Sequence, residues 1–579
     1  MTEPTLPAAG RPDQELDAWL AKTVPAGVLA ELDRAEEFPA GILDLLDEFD
    51  LPAYYVPIED GGLLDDHEEL LRLWRSLSRR DLTLTVAHGK TYLGAAPVWI
   101  AGDAAQRREL AAAVLGGARV SWGLTEPGRG ADLLESTTTA VRTADGWRLD
   151  GVKWPINNAT RGSRLTVLAR TGEGGGGRAL SLLLVDKEKL APGSFRTLPK
   201  ERTHGIRGVD ISGIEFTGAE LPADALLGAE GGGAETVLLG LQLTRTMCAA
   251  LSLGAGEQAL RITTRFAAER IIQERPLADR PQVRSVLARS AALLAATEAA
   301  ALTAARSVHA LTGELSVISA VVKSLAPTLV DGLIGELAEL LGSRSFLTAE
   351  YADGLFQKVW RDHQIVAIFD GSTPVNRNAL AHQFPRLVRG FAAGTADAAA
   401  LAETAAVGTA PRPLDRGALS LLSRTGCSTV QSLPALVEEL ADAGAPAGLL
   451  AQARELTAAA DRLHWLLAEV RPAAHPPIEV YELAAGYELL YAAAATLRLW
   501  HATADQHEGE PLWADGLWAR AALRELLARL APLTGATPAA PAEDDRRITD
   551  LLVDAVVAAA RDGAPITPFG TALPTEDRS

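Results

Sequence analysis

The chain has 579 residues, too many for one core, since single hydrophobic cores stop growing near ~250–300 residues. Its 47% hydrophobic content is enough to fill several cores. A net charge of −19 argues against nucleic acid and against anionic membrane surfaces, because both select for clustered Lys and Arg.

Residues 1–118 read as an N-terminal helical domain. Apolar residues recur at three- and four-residue spacing through Ile42-Leu43…Leu45-Leu46 and through Leu70-Leu71…Leu73-Trp74…Leu77. Between them, Val56-Pro57-Ile58-Glu59-Asp60-Gly61-Gly62 breaks the pattern as a loop. From 119 to 235 the texture changes to short β-prone runs between Gly, Asp and Pro. These are Arg119–Leu124, Ser136–Val141, Trp147–Leu149, Leu165–Ala169, Ala179–Val185 and Ile211–Phe216, and their spacing predicts a central β-barrel or sandwich domain. Gly174–Gly177 reads as an exposed hairpin tip; no helix pattern follows it, as a phosphate-binding loop requires.

Residues 236–388 return to long Ala- and Leu-rich helices, at 237–270, 281–311 and 316–342. A linker rich in Ala, Gly, Thr and Pro is expected over 391–413, then an appended helical domain over 414–579. Within it, Leu449, Ala453, Leu456, Ala460, Leu463, Leu467 and Val470 form an apolar seam that suits a packed bundle helix better than a coiled coil. Pro532–Asp545 reads as a second break. No repeat of 20–50 residues is present. The fold class expected is therefore a multidomain α+β chain.

The two cysteines, Cys248 and Cys427, match no metal or redox spacing and read as reduced thiols of a cytoplasmic protein. Met1-Thr2-Glu3-Pro4 lacks the basic-then-apolar pattern of a signal peptide. No apolar stretch reads as reaching the ~18 residues of a membrane span. Surface attachment is not expected either, since the candidate helices carry many acidic residues and no Lys/Arg-rich polar face.

Several motifs then fall into a known order. Val56-Pro57 with Gly61-Gly62, Arg80-Asp81 and Gly102 before Gln106 come first. Leu124-Thr125-Glu126-Pro127-Gly128-Arg129-Gly130-Ala131-Asp132, Lys153–Ala159 and Val167–Thr171 follow. Arg270…Arg275-Pro276-Leu277, Leu341-Gly342, Arg361-Asp362 and Phe369-Asp370-Gly371-Ser372-Thr373 close the series. Over roughly residues 20–388 this order resembles the acyl-CoA dehydrogenase family. The residues from 414 on resemble the appended helical domain of its very-long-chain branch.

That resemblance implies an N-terminal helical domain, a β-domain, a C-terminal four-helix bundle and an extra helical domain. It implies FAD as cofactor, and α,β-dehydrogenation of an acyl thioester on coenzyme A or a carrier protein. A proton leaves next to the carbonyl while a hydride leaves for the flavin, and donors to the carbonyl stabilise the enolate-like charge. Asp370 then occupies the catalytic base position, where the family carries Glu, and its N–H is the expected carbonyl donor. Leu124, Thr125, Ala131, Pro155, Asn157, Arg270, Glu339, Gly342, Ser372 and Thr373 map to the cofactor site, with Arg270 reaching the pyrophosphate of a neighbouring subunit. Ala131, Thr244, Arg245 and Gly371 map to the substrate side. The resemblance also implies a homodimer, with an electron-acceptor protein or O2 as the partner that reoxidises the flavin.

The departures cluster at the flavin. Pro155-Ile156-Asn157 stands where the family has Trp-Ile-Thr, and Asn157 is expected to donate to flavin N5 in place of the Thr. Ala131 replaces a serine, Gln273-Glu274 a Phe-Gly, Glu339 a Gln, and Ser343 a glycine. Asp370 sets its oxygens back by about one C–C bond, ~1.5 Å, and such a shift costs a proton abstraction ~100-fold unless the substrate sits deeper. Two alternatives stay open at this stage. One is a flavin oxidase or monooxygenase, decarboxylating or epoxidising, on the same scaffold. The other is a non-catalytic scaffold that binds partners through 414–579. Read without the family, Asp370 is a turn or N-cap aspartate, and Arg361-Asp362 is an ion pair.

Overall fold

Six helices open the chain in the computed structural model, which describes residues 11–471, 473, 475–535 and 543–574. They are α1 (Pro12–Thr23), α2 (Ala26–Ala35), α3 (Ala40–Glu48), α4 (His67–Arg80), α5 (Leu82–Ala101) and α6 (Ala104–Leu115). Capping explains where α4 to α6 start. Asp66, Asp81 and Asp103 each accept a backbone N–H of the first turn, and Gln106 closes a capping box with Asp103.

Eight strands follow: β1 (Val120–Gly123), β2 (Thr139–Arg142), β3 (Gly146–Asn157), β4 (Arg164–Arg170), β5 (Leu180–Asp186), β6 (Phe195–Leu198), β7 (Ile211–Pro222) and β8 (Leu226–Leu227). They lie in the order β6-β7-β3-β2-β4-β5-β8, with β1 parallel to β4. Side-chain alternation gives this sheet two employments. Leu165, Val167, Leu183 and Val185 fill a core private to the β-domain with Trp147, Ile214 and Phe216. Leu168, Leu180 and Leu182 face the other way, into the helical core. Gly174–Gly177 caps the antiparallel β4–β5 pair, as the hairpin reading expects.

The chain then runs through α7 (Gly233–Glu269), a two-residue ladder of β9 (Ile271–Ile272) and β10 (Arg275–Pro276), α8 (Pro281–Ala310) and α9 (Leu315–Leu341). After these come α10 (Leu355–His363), α11 (Thr373–Ala381) and α12 (Phe384–Ala393). α7 packs on α4, α5, α8 and α9. The remaining helices are α13 (Ala398–Ala405), α14 (Ser428–Gln431), α15 (Leu433–Asp442), α16 (Ala447–Glu469), α17 (Ile478–Thr503), α18 (Leu517–Thr534) and α19 (Glu543–Asp562). α13, α17, α18 and α19 all lie against α8. Their buried residues belong to the same apolar cluster as those of α4, α5, α7 and α9.

Several sequence expectations change here. Three helical stretches, Gly233–Glu269, Pro281–Ala310 and Thr312–Phe346, are long and apolar enough to cross a membrane, contrary to the reading that none is. Ala, Gly, Ser and Thr dilute their Leu, Ile and Val without adding charge, so no unbroken apolar run stands out. In the most apolar 18-residue window of each, 83% to 89% is buried against protein, which makes them core helices here. The 391–413 linker is not bare: α13 forms within it, with Ala400, Leu401 and Ala405 buried. Pro532 lies inside α18, so that break starts later than expected; residues 536–542 lie outside the described residues. The seam from Leu449 to Leu467 is fully buried on α16 against α12, α15, α17 and α18, as the packed-helix reading requires; Val470 is the C-cap and half-buried. Arg361 pairs with Asp33 at 2.6 Å and Asp362 with Lys358 at 2.6 Å, so the two neighbours, 3.9 Å apart, chiefly serve other partners. Both cysteines are buried and unpaired, and burial pushes each thiol up to about 12.

Candidate active site

Asp370 sits in the turn between α10 and α11 with φ +55°, and Gly371 follows with φ +97°. Glycine takes this conformation freely, but a left-handed aspartate costs backbone energy that the surroundings must hold in place. Arg245, on α7, does part of that work: its Nε donates to the Asp370 carbonyl at 2.8 Å. Its guanidinium lies against Gly371, where a Cβ would stand 2.7 Å from a terminal nitrogen. Asn376 holds the following turn, its Nδ2 donating to the Gly371 and Ser372 carbonyls at 2.8 and 3.0 Å.

The Asp370 carboxylate caps no helix; Ser372 is the N-cap of α11 and makes no side-chain cap bond. Instead Asp370 reaches α5, where Lys90 Nζ donates to its Oδ2 at 2.5 Å. Both side chains keep only 15% of their surface exposed. Lys90 also lies 3.9 Å over the Phe369 ring. The Cys248 thiol is 3.7 Å from the same oxygen. Behind it, Lys323 on α9 is fully buried and donates to the Val366 carbonyl at 2.6 Å. Burial, the larger influence, brings its ammonium down to about 8 against the pull of Cys248 and Asp370. Thr244 is fully buried on α7, and its Oγ1 has no partner among the described residues.

The second group of expected residues approaches from the β-domain. Pro155 has no N–H for the ladder, and the β3–β7 register slips by one residue between Lys153 and Ile156. The slip carries Asn157 toward α5, where its Nδ2 donates to the Val86 carbonyl at 2.9 Å. That bond fixes the amide, since only the nitrogen can donate to a carbonyl. Asn157 Oδ1 is buried without a partner among the described residues, and Val86 takes one of the two Nδ2 hydrogens, so the amide can still donate as well as accept. Leu124 and Thr125 are half-buried against the earlier part of β3, their carbonyls taken by Lys153 Nζ at 3.2 Å and Trp154 N at 2.9 Å. Glu126 anchors this segment. It accepts from Ser136 Oγ, Thr137 and Thr138 backbone N–H, and buried Lys153, whose Nζ is 2.7 Å away. Burial alone raises Glu126, but these donors hold its carboxyl far below the usual range. Ala131 and Pro155 are exposed.

The third group lies elsewhere. Arg270 is 25 positions beyond Arg245, and at ~1.5 Å per residue the rise of α7 separates them by ~37 Å. Glu339 and Gly342 close α9 at that same far end, where Arg344 stacks 4.9 Å from the Phe266 ring of α7. All three are exposed. The chain thus gathers Asp370, Gly371, Ser372, Thr373, Thr244 and Arg245 with Asn157 across α5, and leaves Arg270, Glu339 and Gly342 apart. Sequence reasoning missed Lys90 and Lys323, which belong to no motif. No cluster of three or more metal-binding side chains occurs among the described residues.

Comparison with known proteins gives the family. Three family models match in order: the acyl-CoA dehydrogenase N-terminal domain over 13–118, the middle domain over 121–219 and the C-terminal domain over 231–384. The probable acyl-CoA dehydrogenase FadE25 of Mycobacterium tuberculosis is 26% identical, over 62% of this chain and 90% of its own. The short-chain specific acyl-CoA dehydrogenase of human mitochondria is 27% identical, over 62% and 86%. An acyl-CoA dehydrogenase from Bacillus anthracis, solved in complex with FAD, is 20% identical and superposes with a TM-score of 0.68 over 94% of both chains. The chain belongs to the acyl-CoA dehydrogenase family, FAD-dependent oxidoreductases that act on CH–CH bonds.

Proposed function

We propose that this protein binds FAD and dehydrogenates an acyl thioester, carried on coenzyme A or a carrier protein, at its α,β position. One observation carries the reading: Asp370 is held by Arg245 in a two-residue left-handed turn, with its carboxylate presented to α5 rather than spent on a helix cap. Asp370 takes the α-proton, and its backbone N–H, which has no backbone acceptor among the described turns and loops, donates to the thioester carbonyl. Bound FAD supplies the hydride acceptor. Unpartnered Asn157 Oδ1 and Thr244 Oγ1 suit the polar edges of a flavin and a thioester between β3, α5 and α7. Leu124, Thr125, Ser372 and Thr373 complete that cradle.

Arg270, Glu339 and Gly342 serve the cofactor of a second copy, and the exposed apolar side chains Ile271, Ile272, Phe346 and Leu347 beside them in sequence suit a homodimer. We read α7 to α11 as the helical domain that holds the family's four-helix bundle, and α14 to α19 as the appended domain. The seat of α17, α18 and α19 on α8 covers a face on which pairs of dimers would otherwise meet.

The test is anaerobic bleaching of the FAD-loaded protein by a panel of acyl thioesters, beside Asp370→Asn. Bleaching that survives admission of air and falls ~100-fold or more in Asp370→Asn is the expected outcome. Bleaching indifferent to Asp370→Asn, or hydrogen peroxide released on each turnover, would replace dehydrogenation by an oxidase reaction.

A further inference from the structure

The surroundings of Asp370 carry more positive charge than one carboxylate can balance. Lys90, Arg245 and Lys323 converge on it from α5, α7 and α9. Lys90 contacts a carboxylate oxygen directly. Arg245 and Lys323 spend their hydrogen bonds on the carbonyls of Asp370 and Val366. Among the described residues no carboxylate comes within ion-pair distance of either Arg245 or Lys323. Buried cations without counter-charge are costly, and the usual remedy is an anionic ligand.

The Lys90–Asp370 contact also bears on which acyl groups are processed. A base pinned by an ammonium at 2.5 Å does not face an α-carbon until that ammonium moves. An aliphatic acyl chain offers Lys90 nothing in exchange. A carboxylate on the acyl chain does: the lysine stem has four rotatable carbons, and its head can pass from Asp370 to a substrate anion a few bonds beyond the α-carbon. The incoming group then pairs Lys90, brings the cluster nearer to neutrality and leaves Asp370 free.

We propose that the site is specific for acyl thioesters whose acyl group carries a carboxylate, and that Lys90 selects for it by exchanging Asp370 for the substrate anion. This rests on the dehydrogenase reading above and names its substrate class. Lys90 is then a specificity residue, and the resting pair is the lock that an unsubstituted acyl chain cannot open.

Two matched pairs of coenzyme A thioesters test it on the FAD-loaded protein: succinyl against butyryl, and glutaryl against valeryl. Anaerobic bleaching by the carboxylated member should be at least 10-fold faster in the native protein. Lys90→Met should reverse the order, slowing the carboxylated members and speeding the plain ones. Lys90→Arg, which keeps the charge, should retain the original preference. Equal rates within each pair in the native protein overturn the inference while leaving dehydrogenation standing, as does a loss in Lys90→Met shared equally by both members. If no thioester of either kind bleaches the native protein or Lys90→Met, the dehydrogenase reading falls and takes this one with it.

Discussion

Replacing Glu257 with Gln keeps the shape of a fully buried side chain on α7 and removes its charge. Its Oε2 accepts from Arg75 Nε at 3.1 Å and its Oε1 from Arg79 Nη1 at 2.9 Å, with Arg261 3.6 Å away. The two arginines of α4 also pair with Glu298 and Asp17, and reach the C-terminal segment at Thr567 Oγ1 and the Thr571 carbonyl. Burial pushes the Glu257 carboxyl up; the guanidiniums of Arg79, Arg75 and Arg261 overcome it and bring it from 4.5 down to about 2. That gap is worth about 3 kcal/mol, in line with the ~3–5 kcal/mol that breaking a buried pair costs. Since the folded-state value is the lower one, the stabilisation is whole above pH 4.5 and drains away as pH falls toward about 2. Below 4.5 the slope approaches ~1.4 kcal/mol per pH unit. Urea unfolding at pH 7 should therefore place Glu257→Gln about 3–5 kcal/mol below the native chain, and the difference should shrink by ~1.4 kcal/mol at pH 3.5. A deficit under ~1 kcal/mol at pH 7, or one that is the same at both pH values, would refute the reasoning.

Gly371→Ala adds a Cβ at φ +97° and 2.7 Å from Arg245. It should displace the guanidinium from the Asp370 carbonyl and slow thioester bleaching ~10-fold or more, beyond the ~1–2 kcal/mol backbone cost. Gly218→Ala, also left-handed but with open space around it, is the control: it should cost stability and leave bleaching alone. Arg270→Ala should weaken FAD retention on dilution while the flavin-free protein melts at an unchanged temperature; undiminished retention would remove Arg270 from the cofactor site.

Much of this fold was legible because the chain announces its changes of period. Short β-prone runs between Gly, Asp and Pro marked β1 to β5 and β7, whereas β6 buries no residue fully and the two-residue β8 is too short to show a period. The long helices were placed within a few residues, yet their Ala and Gly content hid their overall hydropathy. α13 was hidden because Ala-rich helix and Ala-rich linker look alike. At the site, Asp370 and Arg245 were found through motif order. Lys90 could not be, since a lysine 280 positions from its partner sits in no pattern until the fold closes. Asn157 shows a different limit: nothing in its sequence context says that Nδ2 binds the Val86 carbonyl while Oδ1 stays buried without a partner among the described residues.

The continuity of the helical core also governs how the molecule comes apart. The buried side chains of α13 to α19 share one apolar cluster with α4, α5 and α7 to α9, while the sheet keeps a second, smaller cluster of its own. The cooperative units are accordingly not the segments that chain order suggests. The late helices melt with the early ones, and the sheet, joined to them through one face, is the part able to open by itself. A chain ended after α12 would strip the cover from α8 and expose a long apolar helix to other chains. What looks in sequence like a detachable appendix is a wall of the building.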